Sequence, residues 1–318
     1  MMKLEQAACP TFYFIGVTTQ QSSIMKLFPL WVKELGIDAE IKGIDIELNA
    51  EKEIYEEVVT FLKNDALSLG SLVTTHKIDL YEATYDLFDY LDPYAKSFHE
   101  LSCIAKGAGQ LKGFAKDPIT SGLAMEAFIP KNYWLEHNGE VFIMGAGGSA
   151  IAIATSLLDT QNKENIPSKI YVSDPSQSRL DSLKEIVEKF NPNVEIEYIL
   201  VQDSSTNDRV LSRVNDYSLI VNATGLGKDR PGSPLTNECE FPEKSFVWEL
   251  NYRGERLFMK QANEQASNKQ LQVEDGWIYF IHGWTQVMAE VFQFEMDKEK
   301  FTRLERIAND FQRNKVKR

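Results

Sequence analysis

Three glycines, at positions 145, 147 and 148, follow the apolar run of residues 141–144 and precede a second apolar run at residues 150–158. This pattern predicts a strand, a tight turn and a helix. Glycines let a backbone approach a pyrophosphate closely, and the N–H groups at a helix N-terminus attract anions. The turn is therefore predicted to bind a dinucleotide, with a plain tight turn as the alternative. The predicted contacts are Gly145, Gly147, Gly148, Ser149 and Ala150.

An acidic residue, Asp174, ends the next predicted strand, residues 169–173. In dinucleotide-binding folds a carboxylate at this point hydrogen-bonds the adenosine ribose and repels a 2′-phosphate, so we expect NAD rather than NADP as cofactor. Asp174 lies further from the glycines than the usual ~20 residues, which an insertion-like loop at residues 161–167 explains. The alternative is a turn-forming aspartate before Pro175, because Asp-Pro favours turns.

A second loop of small polar residues and glycines follows the strand predicted at residues 218–221. It reads Asn-Ala-Thr-Gly-Leu-Gly from Asn222 to Gly227. Ligands of open α/β sheets bind beyond the carboxyl ends of the strands. Asn222, Thr224 and Gly227 are therefore candidate cofactor contacts, and an ordinary loop is the alternative.

A lysine and an aspartate are candidates for proton transfer. Lys77 follows the short apolar segment of residues 71–74, and Asp117 follows a glycine-containing segment. A lysine whose pKa is tuned by burial can exchange a proton with a hydroxyl, and a carboxylate in contact with it can assist. Sequence alone does not place the two side chains together, and each is more commonly a solvated charge or a helix cap.

Strands and helices alternate along two stretches of the chain, which predicts an α/β fold with mostly parallel sheets. In the first stretch, strands are predicted at residues 12–17, 39–46 and 71–74, and helices at residues 24–35 and 54–63. A connecting helix is predicted at residues 119–128. In the second stretch, strands are predicted at residues 141–144, 169–173, 194–201, 218–221 and 246–250, and helices at residues 150–158 and 178–190.

Two domains follow from this alternation. Residues 1–120 are expected to form an N-terminal α/β substrate-binding and catalytic domain, and residues 121–274 a Rossmann-type, doubly wound dinucleotide-binding domain. The helices of residues 275–318 are expected to pack back on the first domain. A long helix at residues 295–314 could pair two chains into a homodimer, but packing within one chain explains it equally well.

Composition and charge exclude several function classes. The chain of 318 residues carries 34 basic and 47 acidic side chains, and its net charge of −13 repels nucleic acid and anionic membrane surfaces. No apolar run approaches the ~20 residues of a membrane span. The N-terminus does not resemble a secretory signal, so a cytoplasmic location is expected. Three scattered cysteines and the absence of ligand spacing argue against a disulfide framework and predict no metal.

In their order and spacing, these motifs resemble the shikimate/quinate dehydrogenase family over nearly the whole chain. The matching segments are Gly16 with Ser22, the helix ending at Leu35-Gly36, residues 71–77 (family motif N-V-T-x-P-x-K), residues 113–117 (G-x-N-T-D), the glycine turn, the Asn222 loop and residues 247–252.

This resemblance implies that Lys77 and Asp117 are the catalytic pair. Lys77 would exchange the proton of the reacting hydroxyl or carbonyl oxygen, and Asp117 would orient Lys77 and the substrate. The hydride would pass between the alcohol carbon and the nicotinamide. The resemblance adds Tyr252 to the cofactor-binding residues. The implied substrate-binding residues are Ser22, Ser71, Ser102, His282 and Gln286.

The substrate-binding half departs from the family pattern. Ile24 stands where the second of two carboxylate-binding serines is expected, and Val73 stands for the threonine of the lysine loop, although a one-residue slip would restore Thr74. The further replacements of amide side chains are Ser71, Ser102, Ala115 and His282, with Gln286 one helical turn beyond His282. A pocket that loses hydrogen-bonding partners rejects a ligand that needs them. We therefore expect a substrate other than shikimate.

Two histidines, His282 and His76, lie near the predicted site residues in sequence. His282 could donate a hydrogen bond to a substrate oxygen or titrate near neutrality, or it could be a half-buried helix residue. His76 precedes Lys77, but alternation along a strand would turn adjacent side chains to opposite faces, which leaves His76 out of the predicted site.

The sequence therefore predicts an NAD-dependent oxidoreductase acting on a small hydroxyl or keto compound. A methylene-tetrahydrofolate dehydrogenase-like enzyme is one alternative, because it shares the broad architecture and a catalytic lysine. A non-catalytic sensor of a nucleotide and a metabolite is the other.

Overall fold

The computed structural model describes residues 4–158, 164–190, 193–228 and 230–316, so part of the loop predicted at residues 161–167 lies outside the described residues. The chain divides into two compact units, of which the first combines residues 1–116 with 283–318 and the second comprises residues 117–282. The boundaries predicted from the sequence fall after residues 120 and 274.

The first unit contains a mixed sheet. Its strands are β1 (Thr11–Gly16), β2 (Glu40–Asp45), β3 (Ser68–Val73), β4 (Tyr90–Leu91), β5 (Cys103–Gly107) and β6 (Gln110–Phe114). Among the described residues these six strands are ordered β2-β1-β3-β5-β6-β4. β1 pairs with β2 and β3 in parallel, whereas β5 pairs with β3 and β6 antiparallel. The helices of this part of the chain are α1 (Ile24–Leu35), α2 (Lys52–Asn64), α3 (Lys77–Thr84) and α4 (Pro93–Phe98).

The sequence did not predict β4, β5 or β6. β5 and β6 form a hairpin whose two turn residues, Ala108 and Gly109, both have positive φ, 52° and 76°. Two-residue hairpins prefer this conformation because its twist matches that of the strands. Alanine occupies a position that Asn or Asp usually marks, so the turn lacks its usual sequence signal.

The second unit contains a parallel sheet. Its strands are β7 (Val141–Met144), β8 (Lys169–Asp174), β9 (Glu195–Leu200), β10 (Leu219–Asn222), β11 (Phe246–Glu249) and β12 (Gln272–Glu274), in the order β12-β11-β10-β7-β8-β9. All the strand pairs recorded for this sheet are parallel. Its helices are α5 (Asp117–Glu126), α6 (Tyr133–His137), α7 (Gly148–Leu158), α8 (Gln177–Val187), α9 (Ser204–Leu211) and α10 (Leu257–Lys269).

The chain order of this sheet reverses at β7. β8 and β9 lie on one side of β7, and β10, β11 and β12 lie on the other. In doubly wound sheets the ligand crevice opens at the carboxyl ends of the strands where the order reverses. The residues of β7 are fully buried, as its continuous apolar sequence predicts for a central parallel strand. The predicted fold class, with a Rossmann-type second unit, is confirmed.

Two helices complete the chain, α11 (Trp277–Val291) and α12 (Lys298–Val316). α12 packs on α1 within the first unit, where the Nε1–H of Trp31 donates to the carbonyl oxygen of Leu304 at 2.9 Å. Arg303 forms an ion pair with Glu34 at 3.0 Å. One face of the C-terminal helix is therefore occupied within the chain. No helix among the described residues has the length and apolar character that a membrane crossing requires.

Candidate functional site

The glycine turn lies between β7 and α7. Gly145 has a φ of 108°, and a Cβ atom there would lie 2.6 Å from the carbonyl oxygen of Ala223, so only glycine fits. A Cβ at Gly147 would meet nothing within 4 Å. The backbone at Gly147 thus faces open space beside the start of α7, whose first N–H groups have no partner within the helix. These are the features that a pyrophosphate requires, and the residues fit that group.

The other predicted contacts of the turn differ in exposure. Gly148 and Ser149 are half-buried at the first turn of α7, whereas Ala150 is fully buried. The side chain of Ala150 therefore contributes to helix packing, and a ligand would meet its backbone alone.

Asp174 is buried at the carboxyl end of β8, where it organises two turns. Its Oδ2 atom accepts from the Ala146 N–H at 2.9 Å, and its Oδ1 atom accepts from the Ser176 N–H at 2.8 Å. The second bond is the turn that the alternative interpretation of Asp-Pro predicts. The first joins the carboxylate to the glycine turn, so Asp174 stands at the predicted crevice. Its ribose-binding role stays a prediction.

The Asn222 loop follows β10 and adjoins the glycine turn, since Ala223 N–H donates to the Met144 carbonyl at 2.8 Å. Asn222 is fully buried and shapes the loop: its Oδ1 atom accepts from the N–H of Thr224 at 3.1 Å and from its hydroxyl at 2.7 Å. Gly227 has a φ of 87° and is buried beside Arg256. The loop therefore has a defined conformation at the carboxyl edge of the sheet.

Sequence reasoning missed Glu249, which ends β11 beside this loop. Its side chain is fully buried, and its Oε2 atom accepts from Asn222 Nδ2 at 2.9 Å. Burial raises the pKa of Glu249 to about 7. A signal was present, because a carboxylate that ends an apolar strand occupies the same kind of position as Asp174.

Tyr252 follows β11 and is half-buried. Its ring centroid lies 4.8 Å from that of Phe280 and 5.5 Å from that of Trp277, both at the start of α11. The side chain thus belongs to an aromatic cluster near the carboxyl edge of the sheet. Its cofactor-binding role stays a prediction.

Lys77 is the first residue of α3 and is half-buried. The preceding residue, His76, lies beyond the end of β3, so strand alternation does not set the direction of its side chain, and the prediction from alternation was wrong. His76 is the N-cap of α3 and is 1% exposed. Its Nδ1 atom lies 3.1 Å from the Tyr55 hydroxyl, and its Nε2 atom lies 3.0 Å from the Ile46 carbonyl oxygen. His76 therefore anchors the turn that carries Lys77.

The three predicted substrate-binding serines lie in different environments. Ser22 is half-buried just before α1. Ser71 is fully buried within β3, and its Oγ atom makes no hydrogen bond to any described residue. Ser102 is buried, and its Oγ atom accepts from the Lys116 N–H at 2.7 Å. Thr74, which a one-residue slip brings into the family position, lies past the end of β3 and is half-buried.

Asp117 is half-buried and begins α5, where its carbonyl oxygen accepts from the Thr120 hydroxyl at 3.1 Å. Asp117 belongs to the second unit and Lys77 to the first. Lys116, which stands at the threonine position of the family's G-x-N-T-D motif, was not singled out from the sequence. Its Nζ atom pairs with Glu290 Oε2 at 2.6 Å.

His282 and Gln286 both lie on α11, one turn apart. His282 is 7% exposed, and burial lowers its pKa to about 4, so the imidazole is neutral at pH 7. The alternative that His282 titrates near neutrality is therefore wrong. Gln286 is half-buried. Within the described ranges, no group of three or more His, Cys, Asp or Glu side chains is arranged to hold a metal ion.

Comparisons with known proteins agree with this architecture. No family model matches the chain. A curated relative from Lactococcus lactis subsp. cremoris (strain MG1363), named shikimate dehydrogenase (NADP(+)), is 29% identical over 221 residues, which cover 66% of this chain and 72% of the relative. A relative of the same name from Nitrosopumilus maritimus (strain SCM1) is 25% identical over 256 residues, covering 80% and 84%.

Solved structures share the fold over almost the full length. Quinate dehydrogenase from Corynebacterium glutamicum in complex with NAD has a TM-score of 0.72 at 18% identity, covering 96% of this chain and 99% of that one. Shikimate 5-dehydrogenase from Thermus thermophilus in complex with NADP(H) and shikimate has a TM-score of 0.66 at 22% identity, covering 94% and 99%. Its sequence relatives and its fold together support a shikimate dehydrogenase-like family member.

Proposed function

We propose that the chain is a nicotinamide dinucleotide-dependent oxidoreductase that interconverts a hydroxyl and a keto group on a small substrate other than shikimate. The observation that carries the proposal is the contact between the glycine turn and the Asn222 loop. It gathers two candidate cofactor segments at the point where the strand order reverses, beside the open space at Gly147. When bound, the cofactor supplies the hydride acceptor or donor.

Two observations bear on the choice between NAD and NADP. A buried carboxylate at Asp174 disfavours a 2′-phosphate, which supports NAD. The curated relatives are named for NADP(+), which favours NADP, and the solved structures include complexes with either cofactor. Ser176, Ser178 and Arg179 follow Asp174 at the start of α8, and a hydroxyl or guanidinium there is suited to a phosphate. Dissociation constants for NADH and NADPH, measured side by side, decide between the two.

Lys77 and Asp117 are the proposed catalytic pair, on the strength of the family motifs. Lys77 would hold the proton that the reacting oxygen gains or loses, and Asp117 would orient the ammonium group and the substrate hydroxyl. Lys77 lies in the first turn of α3, directly after the buried His76, which holds the backbone of Lys77 in place.

The proposed substrate differs from shikimate because the residues at the family's carboxylate-binding and hydroxyl-binding positions are replaced in this chain. Ile24 is fully buried and offers no hydrogen bond in place of a serine. Ser102 already accepts a backbone N–H, that of Lys116, at 2.7 Å. A site with fewer donors binds a substrate with fewer oxygen atoms relatively better.

The experiment is a turnover screen of the full chain. Cyclic polyols, hydroxy acids and methylene-tetrahydrofolate are offered with NAD and with NADP, and absorbance of the reduced cofactor is followed. Turnover of a hydroxyl substrate that is lost in Lys77→Ala and in Asp117→Asn, but kept in the exposed control Lys96→Ala, supports the proposal. Dinucleotide binding without turnover of any compound indicates a sensor. Shikimate oxidation at ordinary efficiency contradicts a changed substrate.

A further inference from the structure

Glu249 is the centre of a buried hydrogen-bond cluster in the second unit. Its Oε1 atom accepts from the backbone N–H of Asn251 at 2.9 Å and from the Nδ2 atom of the same residue at 2.7 Å. Its Oε2 atom accepts from Asn222 Nδ2 at 2.9 Å. Three N–H donors therefore converge on one carboxylate.

This cluster holds the Asn222 loop at both ends. At the start of the loop, Glu249 fixes the Asn222 amide, whose oxygen in turn accepts from Thr224. At the far end, Asn251 Nδ2 donates to the carbonyl oxygen of Leu226 at 2.9 Å. Because Glu249 binds both amides, replacing its carboxylate changes the constraint on the whole loop.

Holding a loop with a buried carboxylate carries a free-energy penalty, because the charge loses its hydration on burial. Glu249 is fully buried, and the described charged groups near it offer limited compensation. Arg256, whose charge acts to lower the pKa of Glu249, is itself paired with Asp275 at 2.9 Å. Glu274 on β12 is in register with Trp248, one residue before Glu249, so strand alternation turns it to the other face. Hydrophobic packing would hold the loop without this desolvation penalty. The presence of a carboxylate here therefore favours a role in ligand binding.

The sheet order places this cluster on one side of the predicted crevice. Asp174, at the end of β8, marks the side of β7 expected to take the adenosine ribose. The Asn222 loop begins at the end of β10, and Glu249 ends β11, both on the opposite side. A dinucleotide that spans the reversal point at β7 therefore extends its nicotinamide half toward the loop that Glu249 holds.

We propose that Glu249 is a positioning residue for the nicotinamide half of the cofactor and acts through Asn222 and Asn251. This inference rests on the proposed function. The ionised carboxylate accepts from all three N–H donors, whereas its protonated form carries an O–H donor and offers weaker acceptors to the same N–H groups. The loop is then held less firmly.

The test compares Glu249→Gln with the wild type. An amide of the same size turns one acceptor into an N–H donor, which opposes the donors of Asn222 or Asn251. We expect the dissociation constant for whichever of NADH and NADPH binds more tightly, measured by fluorescence without substrate, to rise about tenfold. The affinity for ADP-ribose is expected to stay within about twofold, because that ligand lacks the nicotinamide.

The pH profile separates positioning from general damage to the fold. Because Glu249 titrates near pH 7, wild-type dinucleotide affinity is expected to fall between pH 8 and pH 6, and the profile of Glu249→Gln is expected to be flat. Glu274→Gln on β12 is the matched control and keeps the wild-type profile. Asn251→Ser, which removes the bond to Leu226, is the second variant and weakens dinucleotide binding while sparing ADP-ribose.

Two outcomes contradict the inference in distinguishable ways. If the wild type binds a dinucleotide and Glu249→Gln binds it equally well, or loses ADP-ribose to the same degree, Glu249 does not position the nicotinamide half and the proposed function stands. If the wild type binds neither NADH nor NADPH, the proposed function fails and this inference fails with it.

Discussion

The Nδ1 atom of His76 lies 3.1 Å from the hydroxyl oxygen of Tyr55, between the core of the first unit and the turn that carries Lys77. Burial raises the pKa of Tyr55 to about 12, so its hydroxyl keeps its proton. The Nε2–H then donates to Ile46, which fixes one tautomer. Thr75, which directly precedes His76 in this turn, has a φ of 61°, a conformation that β-branched residues rarely adopt. The two bonds of His76 hold this turn in place.

His76→Ala is expected to lower the free energy of unfolding by about 1–3 kcal/mol, because it leaves the Tyr55 hydroxyl and the Ile46 carbonyl buried without their partner. Tyr55→Phe removes one bond, together with the group that made it, and is expected to cost about 1 kcal/mol. Urea denaturation measures both. Tyr85→Phe, at an exposed tyrosine, is the control and leaves the midpoint unchanged. An unchanged midpoint in His76→Ala would show that the anchor is dispensable.

Two alanine substitutions in the glycine turn are expected to have different effects. Gly145→Ala forces a Cβ to within 2.6 Å of a backbone oxygen at a φ of 108°, so we expect a large loss of stability, measured by thermal unfolding. Gly147→Ala meets no atom within 4 Å and is expected to fold normally.

For Gly147→Ala the expected loss is in binding. Its methyl group would occupy the space that a pyrophosphate needs, so we expect the dissociation constant for the dinucleotide to rise at least about tenfold. Wild-type affinity in Gly147→Ala would argue that the pyrophosphate lies elsewhere. Gly36→Ala, at the end of α1 and far along the chain from the turn, adds a methyl into open space at a φ of 67°, so it costs some stability without touching the turn and serves as the binding control.

The sequence predicts most strands of the second unit because central parallel strands are mostly apolar runs, and it predicts the glycine turn because three glycines follow β7. It does not predict the hairpin of the first unit, whose turn is Ala108-Gly109, or the short strands β4 and β12. For the site, the sequence predicts where the motifs lie but not which side chains form hydrogen bonds with one another. Asp174 has a sequence signal, while the bond between Glu249 and Asn222 joins residues 27 positions apart and depends on strand order.

Because of the buried His282, the free energy of unfolding is expected to decrease as the pH falls below 6.5. Its pKa is lowered by burial from 6.5 to about 4, so below pH 6.5 the unfolded chain binds a proton that the folded protein does not. Stability from this group is complete above pH 6.5 and falls by about 3 kcal/mol as the pH drops to 4. Urea midpoints across this range measure the effect.

Glu249 acts in the opposite direction, because its folded pKa of about 7 exceeds the ordinary 4.5, and stability from it declines as the pH rises from 4.5 to 7. The comparison of His282→Gln with the wild type therefore has to be made in a Glu249→Gln background as well. A His282→Gln profile as steep as the wild-type one would assign the acid limb to other groups.

Trp31→Phe is expected to loosen the C-terminal helix. It removes the donor to the Leu304 carbonyl and leaves a small cavity at a fully buried position, for an expected loss of about 1–3 kcal/mol. Limited proteolysis followed by mass spectrometry would show faster cleavage within Lys298–Val316. Leu30→Ala, at an exposed neighbour on α1, is the control. Equal cleavage in both variants would mean that this bond does not secure α12.

The first unit is assembled from two separated stretches of chain, residues 1–116 and 283–318, with the whole second unit inserted between them. On the ribosome, residues 117–282 emerge complete and can fold while the first sheet still lacks α12 to cover Trp31. Residues 1–116 are therefore expected to keep the apolar face of α1 exposed until residues 283–318 are synthesised. We therefore expect residues 117–282 to fold first and the first unit to complete its fold only after residues 283–318 have emerged.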